Sequence, residues 1–186
     1  MVDLTLIVEN VRDHYFVQLE SFVEQELAAC TMCSPEVKFQ MPAENPIYGD
    51  LYCVDFVQND DGPVVKELAI ESGLGFPETS GARSGVEITI STMRWDDVRI
   101  QADKPIADED IDTWFNYWFD VEEVRYDDAK TFGNIIHSAL IDGASVSIDF
   151  GSSEPRAFWE LVDALGDAGV TSITVTYGDG TEVIAD

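Results

Sequence analysis

The stretch that decides how this chain is read is Ala107–Val124, ADEDIDTWFNYWFDVEEV. Ile111, Trp114, Phe115, Trp118 and Phe119 recur at the i, i+3, i+4, i+7, i+8 spacing of one wide apolar helix face. Asp108, Glu109, Asp110 and Asp112 crowd its start, where unpaired backbone N–H groups and the helix dipole favour negative charge. Asp108-x-Asp110-x-Asp112 also has the opening rhythm of a calcium loop. Thr113 and Phe119 stand where that loop needs Gly and a bidentate Glu, so helix capping is the better account and no metal site is expected.

Toward the N-terminus, Leu4–Glu9 is short, apolar and β-branched and reads as a buried strand. Asp13 then caps a helix to about Cys30, with Phe16, Leu19, Phe22, Val23 and Leu27 on one face. Val37–Met41 and Leu51–Val57 read as a strand hairpin. Asn59–Pro63 breaks the chain ahead of a short helix from Val64 to about Gly73. The glycine-rich Gly73–Gly85 reads as a surface loop, followed by strands at Val86–Ile90 and Trp95–Ile100.

Toward the C-terminus, Phe132, Ile135, Ile136, Ala139 and Leu140 point to a second helix from about Asp128 to Gly143. Strand Val146–Phe150, a helix capped by Ser152 or Ser153 with Pro155 in its first turn, and strand Ser172–Tyr177 form a βαβ unit, right-handed and parallel by the usual rule. A turn at Tyr177–Thr181 and a short edge strand at Glu182–Ala185 follow. The expected fold class is α+β, a two-layer strand/helix sandwich. Residues 1–102 are expected to form a βαββαβ ferredoxin-like unit, and residues 103–186 a helix-rich second half, a helix pair plus the βαβ unit, packed with the first as one globular body.

Charge is the largest anomaly. Ten Lys and Arg against 37 Asp and Glu give a formal net charge of −27 in 186 residues. The acidity is not a tail: residues 1–92 carry −12 and residues 93–186 carry −15. Phosphate-backbone binding needs clustered Lys and Arg, so direct nucleic-acid binding is disfavoured. At 45% hydrophobic the chain can still build a core. No run approaches the ~18 apolar residues of a membrane span. MVDLTLIVEN lacks a basic n-region, so a cytoplasmic location is expected. Three causes of the charge stay open: salt adaptation of the whole surface, a surface built for a basic partner, and divalent-cation binding.

No complete catalytic or cofactor motif is present. Cys30 and Cys33 form a lone CxxC at a helix C-terminus, where the dipole disfavours a thiolate, and they read as free, partly buried thiols. His14 sits in a first helical turn, and His137 lies outside an apolar helix face, toward solvent or the edge of the core. Gly73-x-Gly75 follows a helix instead of a strand, which weakens a phosphate-loop reading.

The function expected is a non-enzymatic acidic binding protein of the inhibitor, immunity or nucleic-acid-mimic type, needing no cofactor and engaging a basic protein partner. Its expected contact residues are Tyr117, Asp120, Glu122, Glu123, Asp127 and Asp128, on or just beyond the outer face of the aromatic helix. Two alternatives remain. One is a small enzyme with a pocket near Gly73–Gly85 holding His14 or His137. The other is an acidic, salt-adapted protein whose charge has no partner.

Overall fold

The computed structural model describes residues 3–70 and 73–178. The edge strand expected at 182–185, and the turn expected at 177–181 beyond Gly178, lie outside the described residues. The chain opens with one long helix, α1 (Leu4–Ala29). Leu4–Glu9 is therefore its beginning and not a strand. Asp3, not Asp13, is the cap, its carboxylate accepting from Thr5 N at 3.0 Å. Leu4, Ile7, Val8, Val11, Tyr15, Leu19 and Val23 are buried on one face, a helical period running through the supposed strand. Leu27 falls outside that face and is exposed.

Three consecutive antiparallel strands follow: β1 (Cys33–Gln40), β2 (Leu51–Gln58) and β3 (Val64–Lys66). β3 replaces the short helix expected from Val64. Chain beyond it continues alongside β2, where Leu68 N donates to Asp55 Oδ2 at 2.7 Å and Asp55 N donates to Glu67 Oε2 at 3.1 Å. The first of these satisfies an N–H that a helix would have paired with itself, and the second ties the Glu67 side chain to β2. The glycine-rich segment is likewise not all loop, since Thr79–Arg83 forms β4. A side chain at Gly81 would place its Cβ 2.7 Å from Leu4 Cδ1. Glycine there lets α1 lie against β4.

The remaining elements are β5 (Val86–Ile90), β6 (Val98–Ala102), α2 (Asp108–Phe119), β7 (Ser138–Asp142), β8 (Ser145–Asp149), α3 (Arg156–Asp167) and β9 (Ser172–Tyr177). The second sheet has the order β4-β5-β9-β6-β8-β7. β6 is antiparallel to both β8 and β9, so β8 and β9 run parallel with β6 between them, as a split βαβ unit. The first half does not run βαββαβ, because its expected first strand and second helix are not formed. That element order occurs instead from β6 through β9, starting with the last strand of the first half and running through the second. The sheet takes strands from both sides of residue 102, and the buried core is continuous.

The helix expected from Asp128 is absent, and β7 occupies its end. Gly133 N donates to Glu36 Oε2 at 2.6 Å, and Asn134, at φ 56°, accepts from Glu154 N at 2.8 Å through its side chain. These tertiary bonds replace i→i−4 pairing while Ile135, Ile136 and Ala139 stay buried. α3 begins at Arg156 with Pro155 as its N-cap. Ser152 and Ser153 are buried, the Ser153 hydroxyl donating to Phe150 O.

α2 is as expected. Its acids lead, Asp110 Oδ2 accepts from Ala107 N at 2.8 Å, and all five apolar positions are buried. Each large side chain so buried contributes about 1.5–3 kcal/mol. The two indoles are also tied to α3, Trp114 Nε1 donating to Ala157 O at 2.8 Å and Trp118 Nε1 to Glu160 Oε2 at 2.9 Å.

The two sheets meet at His137. Its carbonyl accepts from Cys53 N of β2 and its N–H donates to Asp149 O of β8, both at 2.8 Å. Gly151 packs on the imidazole so closely that a Cβ would lie 2.2 Å from the ring, at a φ of +48°. Gly151→Ala should therefore cost more than about 3 kcal/mol, through both the clash and the backbone conformation. Urea unfolding checks this; a loss under about 1 kcal/mol would mean the ring is free to move aside.

Candidate functional site

Two sites emerge, one buried and one at the surface. At the buried site His137 lies among carboxylates from three strands. Its Nε2 is 2.9 Å from Glu36 Oε1 of β1, and its Nδ1 is 3.3 Å from Asp55 Oδ1 of β2 and 3.8 Å from Asp149 Oδ2 of β8. The His137 side chain is 1% exposed, so it faces neither solvent nor the core's edge as its sequence position suggested. Its Nδ1 makes no well-aligned hydrogen bond, leaving the Asp55 contact ionic in character.

Burial favours a neutral ring, but the carboxylates of Asp149, Asp55 and Glu36 outweigh it and hold the His137 pKa well above its usual value. Asp55 shows the mirror effect. Burial pushes it up, yet its contacts with His137 and Leu68 N leave it below the ordinary carboxylate range. Asp149 is raised to about 7, mainly by burial, against the pull of His137. Part of its side chain, 31%, still reaches a shallow groove lined also by Asp96, Asp97, Ser138 and Ser147. Burial pushes the Cys53 thiol up to about 12, and Cys53 lies in the core. A ring that keeps its proton is a poor general base, and a buried thiol of that pKa is a poor nucleophile. The set acts as an electrostatic clasp between the two sheets.

The surface site is the segment following α2. Asp120 ends the helix in a left-handed conformation, at φ 55°, and is buried, unlike the outward position expected of it. Both of its carboxylate oxygens accept from Arg125 N, at 3.3 and 3.1 Å. The Arg125 guanidinium turns inward to the carbonyls of Asn134 and Tyr117 and lies 4.6 Å from the Tyr117 ring centroid. Glu123 N bonds Asp120 O, Tyr126 N bonds Glu123 O and Lys130 N bonds Asp127 O, so the segment is a chain of closed turns. Tyr117, Glu122, Glu123, Asp127 and Asp128 are exposed on it.

Two grooves border this segment and share Asp120. One, of about 610 Å³, runs between β1 (Ser34–Lys38) and residues 120–135 and holds Glu123, Asp127 and Asp128. The other, of about 450 Å³, is formed by Asn116, Tyr117, Val121, Glu122, Val124 and Arg125. Four of the six expected residues thus border the first groove, Tyr117 and Glu122 the second, with Asp120 as the common wall.

The cleft beside Gly73 does receive His14, with Arg94, Trp95 and Asp96, but its volume of about 10 Å³ admits little more than one water. His137 is elsewhere. Cys30 and Cys33 are joined by a disulfide where free thiols were expected, because the turn between α1 and β1 brings their Cα atoms to 6.2 Å. Asp60 Oδ1 accepts from Thr31 N and Met32 N and holds that turn closed. Among the described residues no group of three or more His, Cys, Asp or Glu is arranged to hold a metal ion. None of their helices is long and apolar enough to cross a membrane. No protein family, curated protein or solved structure matches the chain.

The clasp sets the pH response. A carboxyl raised in the fold binds more protons than in the unfolded chain, so Asp149 makes stability fall as pH rises from about 4 to 7. His137, also raised, stabilises fully below about 6.5 and loses that contribution as pH climbs through its folded value. Asp55, lowered, stabilises above about 3.8 and is lost in stronger acid. The thermal midpoint should therefore peak between about pH 4 and 6, and Asp149→Asn should flatten its decline toward pH 8. A midpoint that rises steadily from pH 5 to 8 in both proteins would contradict the assignment. Asp55→Asn, which leaves the imidazolium short of a counter-charge, should cost about 3–5 kcal/mol in urea at pH 7.

Proposed function

We propose that this chain is a non-enzymatic acidic binding protein, of the inhibitor, immunity or nucleic-acid-mimic type, that engages a basic protein partner through the segment 117–128. The observation that carries this reading is the fate of its cations. Each of the ten Lys and Arg side chains is engaged within the molecule. Lys66, Arg83, Arg94 and Arg156 pair with carboxylates; Arg12, Lys38, Lys104 and Arg125 turn to backbone carbonyls; Lys130 lies near Asp127 and Arg99 near Ser145 Oγ. The surplus of carboxylates faces solvent, and residues 107–128 hold nine acids against Arg125. A surface of one sign steers and retains a partner of the other. Residues 98–177, read as a ferredoxin-like core, carry that segment on a rigid base, and the cytoplasm is the proposed setting.

The test is capture of basic proteins by the immobilised chain at low and high salt. Retention at about 50 mM KCl that weakens strongly by about 500 mM is expected. Failure to retain any cationic protein at low salt, or capture that salt does not change, would overturn the reading.

A second reading, adaptation of the whole surface to salt, is favoured by exposed acids far from the segment, such as Glu9, Glu20 and Glu24 on α1 and Glu87 on β5. It requires a thermal midpoint that keeps rising to molar KCl. A plateau by about 0.2 M, where surface charges are already screened, counts against it.

A further inference from the structure

The segment 117–128 is not uniformly acidic. Among the described residues eleven large hydrophobic side chains are exposed, and four of them, Tyr117, Val121, Val124 and Tyr126, fall within ten residues here. Val124 at 79% and Tyr126 at 69% are the two most exposed of all. Glu122 and Glu123 precede them and Asp127 and Asp128 follow. The backbone between is fixed: Arg125 N donates to the Asp120 carboxylate and its guanidinium turns inward to Tyr117 O at the end of α2, which leaves its neighbours Val124 and Tyr126 facing out. Apolar side chains held on ordered backbone lose little entropy when covered, and the nearby groove of about 450 Å³ has room for a bulky side chain. A surface imitating a phosphate backbone needs carboxylates at regular spacing and gains nothing from apolar side chains between them. An aromatic and aliphatic centre with a charged rim is the anatomy of a protein–protein hot spot.

We infer that the partner surface is an amphipathic basic protein segment: one of its bulky apolar side chains seats in the groove formed by Tyr117, Val121 and Val124, while its Lys and Arg side chains lie over Glu122, Glu123, Asp127 and Asp128. This rests on the reading of the chain as a binder of basic partners and narrows it. Recognition is then part electrostatic and part apolar, so salt weakens it without abolishing it.

Two synthetic peptides of equal length and equal Lys/Arg content test this, one carrying Leu and Phe at helical spacing and the other Ser in their place. Binding is measured by calorimetry at low and high KCl. The amphipathic peptide is expected to bind at least about tenfold more tightly at low salt and to remain measurable at high salt. In the Val121→Ser/Val124→Ser variant, which strips the groove of its aliphatic lining, that advantage should vanish while the polar peptide binds as before. Both side chains are solvent-exposed, so an unchanged thermal midpoint verifies that the variant folds. In Glu122→Gln/Glu123→Gln/Asp127→Asn/Asp128→Asn both peptides should weaken. Equal affinity for the two peptides, or an amphipathic advantage that survives Val121→Ser/Val124→Ser, overturns the inference and leaves the basic-partner reading standing. Binding of neither peptide overturns both.

Discussion

The His137 imidazolium and its three carboxylates hold the two sheets together, and they do so as a set. Glu36 and Asp55 stand opposite each other on β1 and β2, flanked by the pairs Pro35–Phe56 and Val37–Val54. Two carboxylates so placed repel, and β1 distorts locally, Glu36 taking a φ of +46°. The positive ring between them converts that repulsion into attraction. Gly151 gives the ring its space, Gly133 N satisfies the second oxygen of Glu36, and Leu68 N satisfies the second oxygen of Asp55. A buried charge is tolerated when its lone pairs and protons are met in this way. Removing one member leaves the others uncompensated, whereas an apolar set of the same volume would not.

The regular elements that packing dictates were legible in the sequence, and those that tertiary hydrogen bonds dictate were not. α2 followed from the spacing of Trp114, Phe115, Trp118 and Phe119, and the β8–α3–β9 crossover from its strand and helix periods. Leu4–Glu9 reads as a strand because six residues are too short to tell a buried strand from a buried helix turn. Extending the window to Val11, Tyr15 and Leu19 reveals the helical period. Residues 128–137 have the apolar pattern of a helix yet run as irregular chain, since their backbone N–H groups donate to the side chains of Glu36 and Ser152 and to the carbonyls of Trp118 and Asp149. The surface segment was legible in part, its charge being visible in the sequence. The inward turn of Asp120 and Arg125, which exposes Val124 and Tyr126, was not. The clasp left one clue: Asp55 stands in the middle of the apolar run Cys53-Val-Asp-Phe-Val57, where a carboxylate needs a buried partner. Nothing local named that partner as His137.

The sparse cations are placed where backbone carbonyls lack partners. Lys38 donates to Asp120 O, Arg125 to Tyr117 O at the end of α2, and Lys104 to Ala168 O at the end of α3. Positive charge at a helix C-terminus complements the dipole and meets orphan acceptors. In a chain so acidic these cations serve internal structure first, and the outer surface is left predominantly negative.

The clasp also has a kinetic side. His137 lies 101 residues from Glu36, and its other partners come from β2 and β8, so no local segment can assemble it. The α2–α3 layer and the strands from β6 to β9 can form with much shorter loops closed. The three-stranded sheet must then dock onto that body, bringing Glu36 and Asp55 toward a ring that is half protonated near neutral pH while exposed. Closing the seam thus carries a large loop-closure cost. Its formation draws on the protonation of a single imidazole within a strongly anionic chain, so mild acid favours the closed seam.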